Sequence, residues 1–184
     1  MRPKTVLFWL GSVLILVGAV LLAVYSGNVY RSAGAQKVAK ERLNSPQAIP
    51  PAVHRGDVLG ELSIPRLHFS VMVFEGDDEG ILKIGASHIP GTALTPGKGN
   101  IGIAAHRDTF FRPLRLIHPR DEITLRTPAG TSRFAVTATE IVTPSRTEVL
   151  ASSPGRDLTL VTCYPFIYIG HAPKRFIVYA QKLS

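Results

Sequence analysis

The sequence predicts an all-β domain, a closed barrel or a sandwich, with short helices only, preceded by one membrane-spanning helix. Three observations carry this. After residue 55, runs of strand length are separated by turn signals at intervals of about 8–12 residues. No long amphipathic helical pattern interrupts them. Residues 6–25 form an uncharged apolar run of 20 residues, which as a helix would rise about 30 Å, the thickness of bilayer hydrocarbon.

A cleaved signal peptide would also begin with Arg2 and Lys4, and Ala33-Gly34-Ala35 has the look of a cleavage box. The apolar stretch exceeds the usual h-region of about 7–15 residues, and the box lies well past its end, so an uncleaved anchor is expected. Then comes "KVAKERLNSPQAIPPAVHR", helix-like at first and Pro-rich afterwards, which reads as a stalk. About 130 residues remain, the size of one domain with a sizeable core.

From Val58 the hydrophobic period changes to two. In "ELSIPRL", Leu62 and Ile64 alternate with Glu61 and Ser63, and "FSVMVF" is a continuous apolar run. "EGDDEGILKIG" fits one helical turn, "ASHIPGT" and "GTALTPGKGN" are turn chemistry, and "IGIAAH" is a strand of small residues. A helical turn in "RPLRLI" follows, then a hairpin in which "DEITLRT" and "SRFAVTATEIV" flank Pro128-Ala129-Gly130. "DLTLVTC" and "KRFIVYAQKL" supply the last two strands. Pro165 cannot donate to a ladder, so the first of these should stop at Cys163.

The net charge of +8 does not indicate nucleic acid. Residues 1–51 hold six basic groups and one acid, whereas residues 52–184 hold 15 and 12. The excess is juxtamembrane, where anionic headgroups account for it, and no nucleic-acid-binding motif appears. One cysteine excludes an internal disulfide framework and a Cys-rich metal site. No histidine has zinc-ligand spacing, so no metal site is expected. The acids of "EGDDEG" lack EF-hand spacing and read as a solvated turn, with calcium there left open and no other cofactor expected.

Chemistry is sought at strand ends, where functional groups gather. In "LTLVTC", Leu158, Leu160 and Thr162 share one face, and Thr159, Val161 and Cys163 the other. An isolated cysteine is more often a buried small hydrophobe than a nucleophile, and reactivity requires a base and a positive neighbour. His106 closes a strand with Gly102 and Ala104 on its own face, leaving room for another group to approach. His88, in its turn-rich loop, either packs within that loop or lines the same pocket. Arg175 opens the final strand, 12 residues after Cys163. It is either surface decoration or, if the chain returns antiparallel, a donor to a developing oxyanion beside the thiol.

With His106, Cys163 and Arg175 in that order, the chain resembles the sortases, membrane-anchored cysteine transpeptidases of bacterial surfaces. "TLVTC", "AHRDTFF" and "APKRFIVYA" carry the resemblance, which spans residues 56–184 and the anchor. "TCYPF" followed by "GHAPKRFIV" looks most like class D, with class E the alternative. Ala105 stands where these enzymes usually have glycine. No Asp-Pro-aromatic motif follows the stalk, so the lid of pilin-polymerising members is not indicated.

The resemblance implies a closed eight-stranded β-barrel and a catalytic trio of Cys163, His106 and Arg175. The substrate would be a sorting-signal peptide similar to Leu-Pro-x-Thr-Gly. Cys163 would form a thioester on its Thr carbonyl, Arg175 would steady the oxyanion and His106 would protonate the leaving amine. The acyl acceptor would be an amine of a cell-wall precursor or a pilin subunit. Thr162, Ala105 and His88 are candidates for the groove. The resemblance also implies an extracytoplasmic domain: residues 1–5 a cytoplasmic tail, 6–25 the anchor within membrane lipids, 26–55 a basic and Pro-rich stalk, 56–184 the catalytic domain. Local charge argues the other way, since Arg31, Lys37, Lys40 and Arg42 follow the span. A papain-like protease is disfavoured because His106 precedes Cys163 by 57 residues. The remaining alternative is a membrane-tethered, non-catalytic β-domain that binds peptides or surface proteins.

Overall fold

The computed structural model describes residues 3–45, 53–155 and 157–183. Eight strands close into one barrel: β1 (Val58–Ile64), β2 (Phe69–Glu75), β3 (Ala86–His88), β4 (Ile101–Ala104), β5 (Glu122–Thr127), β6 (Gly130–Val142), β7 (Leu158–Tyr164) and β8 (Lys174–Lys182). Round the barrel the order is β1-β2-β3-β4-β7-β8-β6-β5. The pairs β2·β3 and β4·β7 are parallel and the others antiparallel. A parallel neighbour requires a crossover. The short helix α2 (Glu79–Leu82) lies in the first, and the β5–β6 hairpin lies in the second.

Alternation fills the interior. Leu62, Ile64, Ile101, Ile103, Ile123, Leu125, Phe134, Val136, Leu158, Leu160, Val178 and Ala180 point inward from six strands and meet Phe111 and Leu114 of the β4–β5 connection. Phe111 and Phe134 are fully buried, each contributing about 1.5–3 kcal/mol of apolar burial. At one end, the Arg66 guanidinium grips both oxygens of buried Asp121 and donates to Leu116 O at 2.5 Å. It ties the turn after β1 to the segment entering β5. Arg66 also holds the Asp121 carboxyl below the ordinary carboxylate range.

Two elements depart from the sequence reading. The eighth strand, β3, is only three residues long and sits in the stretch read as turn-rich; Gly85 and Pro90 on either side mask its pattern. The other strands fall where expected, although β7 runs one residue past Cys163 to Tyr164 before Pro165 ends it.

The larger departure is α1 (Pro3–Asn44), one unbroken helix of 42 residues. It is long and apolar enough to cross a membrane, and its apolar residues 13–24 are exposed. Ala33, Ala35, Lys37, Ala39, Lys40 and Glu41 are strong or adequate helix formers, and no proline intervenes before Pro46. The expected stalk from residue 26 is therefore helical through Asn44, while its Pro-rich part at 46–52 lies outside the described residues.

The end of α1 docks on the barrel wall. Ala39, 2% exposed, packs with Met72, Phe74 and Ile81. Gln36 accepts from Met72 N at 2.7 Å and donates to Ile84 O at 2.5 Å. The helix comes so close that a Cβ on Gly85 would lie 2.7 Å from Gln36 Nε2 and 2.5 Å from Phe74. Glu61 is the polar hub: it accepts from Lys40 Nζ at 2.8 Å, Ser70 Oγ at 2.5 Å and Arg126 Nη2 at 2.9 Å. Arg126 also donates to Asn44 Oδ1 at 2.8 Å. Burial pushes the Glu61 carboxyl up, but these three donors and the Lys40 charge outweigh it and bring it from 4.5 to about 2.

Gln36→Leu strands a backbone donor and a backbone acceptor, and should cost about 1–3 kcal/mol, read as a lower barrel Tm of the full chain in detergent. Because the folded pKa of Glu61 is depressed, its contribution is present above about 4.5 and is lost as pH falls toward about 2. Protection of the amides of residues 36–44, taken relative to intrinsic exchange at each pH, should therefore fall across that window in the wild type. In Glu61→Gln that pH dependence should be largely absent.

Candidate active site

Strands β4, β7 and β8 are consecutive in the barrel wall. On β7, Leu158, Leu160 and Thr162 point inward, so Thr159, Val161 and Cys163 face outward. On β8, Val178 and Ala180 point inward and Ile177, Tyr179 and Arg175 outward. The antiparallel register sets Cys163 directly opposite Arg175. On the other side, parallel β4 pairs Ala104 with Val161, and Ala105 N donates to Val161 O at 3.2 Å. Two residues on, on Ala104's own outward face, the chain delivers His106 at the level of Cys163.

The thiol, the imidazole and the guanidinium line one cleft of about 250 Å³, completed by Arg107, Asp108, Gly170, His171 and Ala172. The thiol is half-buried. Arg175 Nη1 donates to Ala172 O at 3.2 Å and Lys174 O at 3.0 Å. Glu79, at the head of α2, is held below the ordinary carboxylate range mainly by Lys83, with a small contribution from the nearby His106.

Thr162 and Ala105 lie beneath the cleft and do not wall it. Thr162 Oγ1, buried, donates to Ala105 O at 2.7 Å, fastening the end of β4 to the strand that carries the thiol. Ala105 packs in the core. The room that small residues make beside His106 is filled by protein: a Cβ on Gly102 would stand 3.0 Å from Thr92 Cγ2 and 3.1 Å from Leu150 Cδ2.

His88 is not brought to this cleft. As β3 runs antiparallel to β4, with His88 opposite Ile103, it points toward the other end of the barrel. There it lines a separate apolar cavity of about 230 Å³ with Val73, Ile101 and Ile103. Its Nδ1 lies 2.7 Å from Glu75 Oε2, and its Nε2 lies 2.9 Å from Thr92 Oγ1.

The sequence reading missed the β7–β8 loop and its latch. Tyr164, Phe166 and Phe176 pack as an aromatic trio at the loop's root, with centroids 5.3–6.4 Å apart. Arg107 Nη2 then donates to Tyr168 O at 2.9 Å and Gly170 O at 3.2 Å, with its guanidinium 5.7 Å from the Tyr168 ring centroid. His171 stands in "GHAPKRFIV", but the sequence reading gave it no role of its own. The one available signal was its place in the connection between Cys163 and Arg175.

Fold and site together define a closed mixed barrel that presents a thiol, an imidazole and a guanidinium on one outward cleft, the groups that acyl transfer through a thioester uses. The Sortase domain family model matches residues 62–183. The chain belongs to the sortase family. It is 32% identical over 130 residues to Sortase D of Bacillus subtilis strain 168, covering 70% of this chain and 66% of that one. It is 27% identical over 131 residues to Sortase A of Bacillus anthracis, covering 69% and 60%. The chain thus spans less than two thirds of either relative. Its fold matches a Clostridium perfringens Sortase D5 transpeptidase with a TM-score of 0.70 at 23% identity, over 84% of this chain and 99% of that one.

Thr162→Val removes the hydroxyl and leaves Ala105 O buried without that donor, for a loss of about 1–3 kcal/mol. A lowered melting temperature together with faster amide exchange at residues 105–107 is the expected outcome. Unchanged exchange there would mean that the backbone pairing alone holds His106 in place.

Proposed function

We propose that this chain is a membrane-anchored cysteine transpeptidase that cleaves a sorting signal of the Leu-Pro-x-Thr-Gly kind and passes the acyl group to an amine. The observation that carries the reading is the register of β4, β7 and β8, which sets Cys163, His106 and Arg175 around one cleft.

In this reading the Cys163 thiolate attacks the Thr carbonyl carbon and a C–S bond forms. The carbonyl oxygen becomes an oxyanion, and the Arg175 guanidinium, held to its loop carbonyls through Nη1, donates to it through its other N–H groups. As the C–N bond breaks, His106 gives its proton to the departing amine and a thioester remains on Cys163. An incoming amine, from a cell-wall precursor or a pilin subunit, loses its proton to His106 as it attacks. The C–S bond breaks and the thiolate returns. These steps need no cofactor beyond the three side chains.

The helix α1 would hold the domain at the cell membrane as a single-pass anchor, with the barrel outside, where exported sorting signals are found. The basic residues after the span count against this orientation, and the family resemblance is what supports it.

Full-length chain in detergent, incubated with Leu-Pro-x-Thr-Gly peptides, should gain the mass of an acyl adduct. An adduct that persists in Cys163→Ala would refute the nucleophile. His106→Ala should lower turnover by about 10²–10⁴ with the barrel folded, as expected for loss of a general acid and base. Arg175→Lys keeps the charge but loses the planar fork, so acylation should slow by about 10²-fold or more; an unchanged rate would assign the oxyanion to backbone donors.

A further inference from the structure

We propose that Arg107 is a positioning residue that latches the β7–β8 loop and through it sets the direction of the Arg175 guanidinium over the cleft. Arg107 directly follows His106, at the end of the strand path beside β7. From there its Nη2 reaches two carbonyls of the loop that joins the strands of Cys163 and Arg175, those of Tyr168 and Gly170. Two residues past Gly170, the carbonyl of Ala172 accepts from Arg175 Nη1 at 3.2 Å. One guanidinium therefore ties the histidine segment to the loop, and the loop supplies a carbonyl on which the second guanidinium rests.

Arg107 is half-buried, and one nitrogen of its guanidinium shows commitment to this contact. Its Nη1 is buried with no hydrogen-bond partner among the described residues, an arrangement that costs free energy for a charged donor. The face of the Tyr168 ring, 5.7 Å from the guanidinium carbon, compensates in part. Water would satisfy that donor if the side chain swung out, so the latched position is held by the loop contacts themselves. The loop needs such a hold. Beyond its aromatic root it exposes Ile167 at 86% and Ile169 at 99%, so its own apolar side chains bury little to fix it.

This inference rests on the proposed role of Arg175 only for its catalytic consequence; the latch is tested separately. In full-length chain in detergent, Arg107→Ala should raise amide exchange of residues 166–172 by about tenfold or more while the strands of the barrel keep their protection. Tyr168→Ala, which removes the ring but not the carbonyl, should give a smaller rise in the same amides. In peptide acylation, Arg107→Ala should lower kcat by about tenfold with KM within about twofold. In an Arg175→Ala background it should cost nothing more, because the two act in series. Loop exchange equal to wild type would overturn the latch whatever turnover does, and additive losses with Arg175→Ala would overturn the coupling. If wild-type chain forms no thioester with any sorting peptide, the transpeptidase reading and the coupling through Arg175 both fall, while loop exchange still decides the latch.

Discussion

The site depends on the register of β7 between two unlike neighbours. Side chains alternate with a period of two along a strand, so a slip of one residue would turn Cys163 into the core and Thr162 out to solvent. What prevents the slip is the inward set Leu158, Leu160 and Thr162: two leucines that fill the barrel and a hydroxyl with one acceptor, Ala105 O. Exposing those leucines would forfeit about 1.5–3 kcal/mol each. The position of the thiol is thus fixed by residues on the opposite face of its own strand. The parallel pairing with β4 and the antiparallel pairing with β8 then bring His106 and Arg175 from opposite chain directions to the same level.

The same logic shows why this much could be read from sequence. Alternation in "LTLVTC" and small residues on the face of His106 are local patterns, and they assign each side chain to a face before any neighbour is known. Strand adjacency is not local. Nothing within "IGIAAH" says that it pairs with residues more than 50 positions away, and only the resemblance carried by the three motifs supplied that expectation. His88 shows the converse hazard. Its loop-like surroundings left open both loop packing and a pocket wall near His106, but β3 runs antiparallel to β4, so each step along β3 from Ala86 leads away from the His106 end.

Polar docking was invisible for a different reason. Gln36, Lys40 and Asn44 are the residues of a solvated helix face by composition, and a Pro-rich stretch next to them invites the reading of a flexible stalk. Their partners are backbone atoms of Met72 and Ile84 and the side chains of Glu61 and Arg126, all distant in sequence. A side chain that bonds main-chain groups leaves no complementary pattern in the sequence of its partner. Gly85 carried a faint signal, since a glycine beside a short strand marks close approach, but it could not name what approaches.

The docked helix alters what the Pro-rich stretch can be. The helix has already reached the barrel by Gln36, before the Pro-rich stretch begins at Pro46. α1 itself continues from the apolar segment to Gln36 without a break, a rise of about 16 Å past residue 25. A continuous helix restricts orientation far more than an extended linker of the same length, because its hydrogen-bonded backbone has few soft torsions to give. Cutting the chain after the dock would expose Met72, Phe74 and Ile81 and remove the lysine paired with Glu61. The barrel and the end of α1 are therefore one packing unit, held together by the Gln36 and Glu61 contacts.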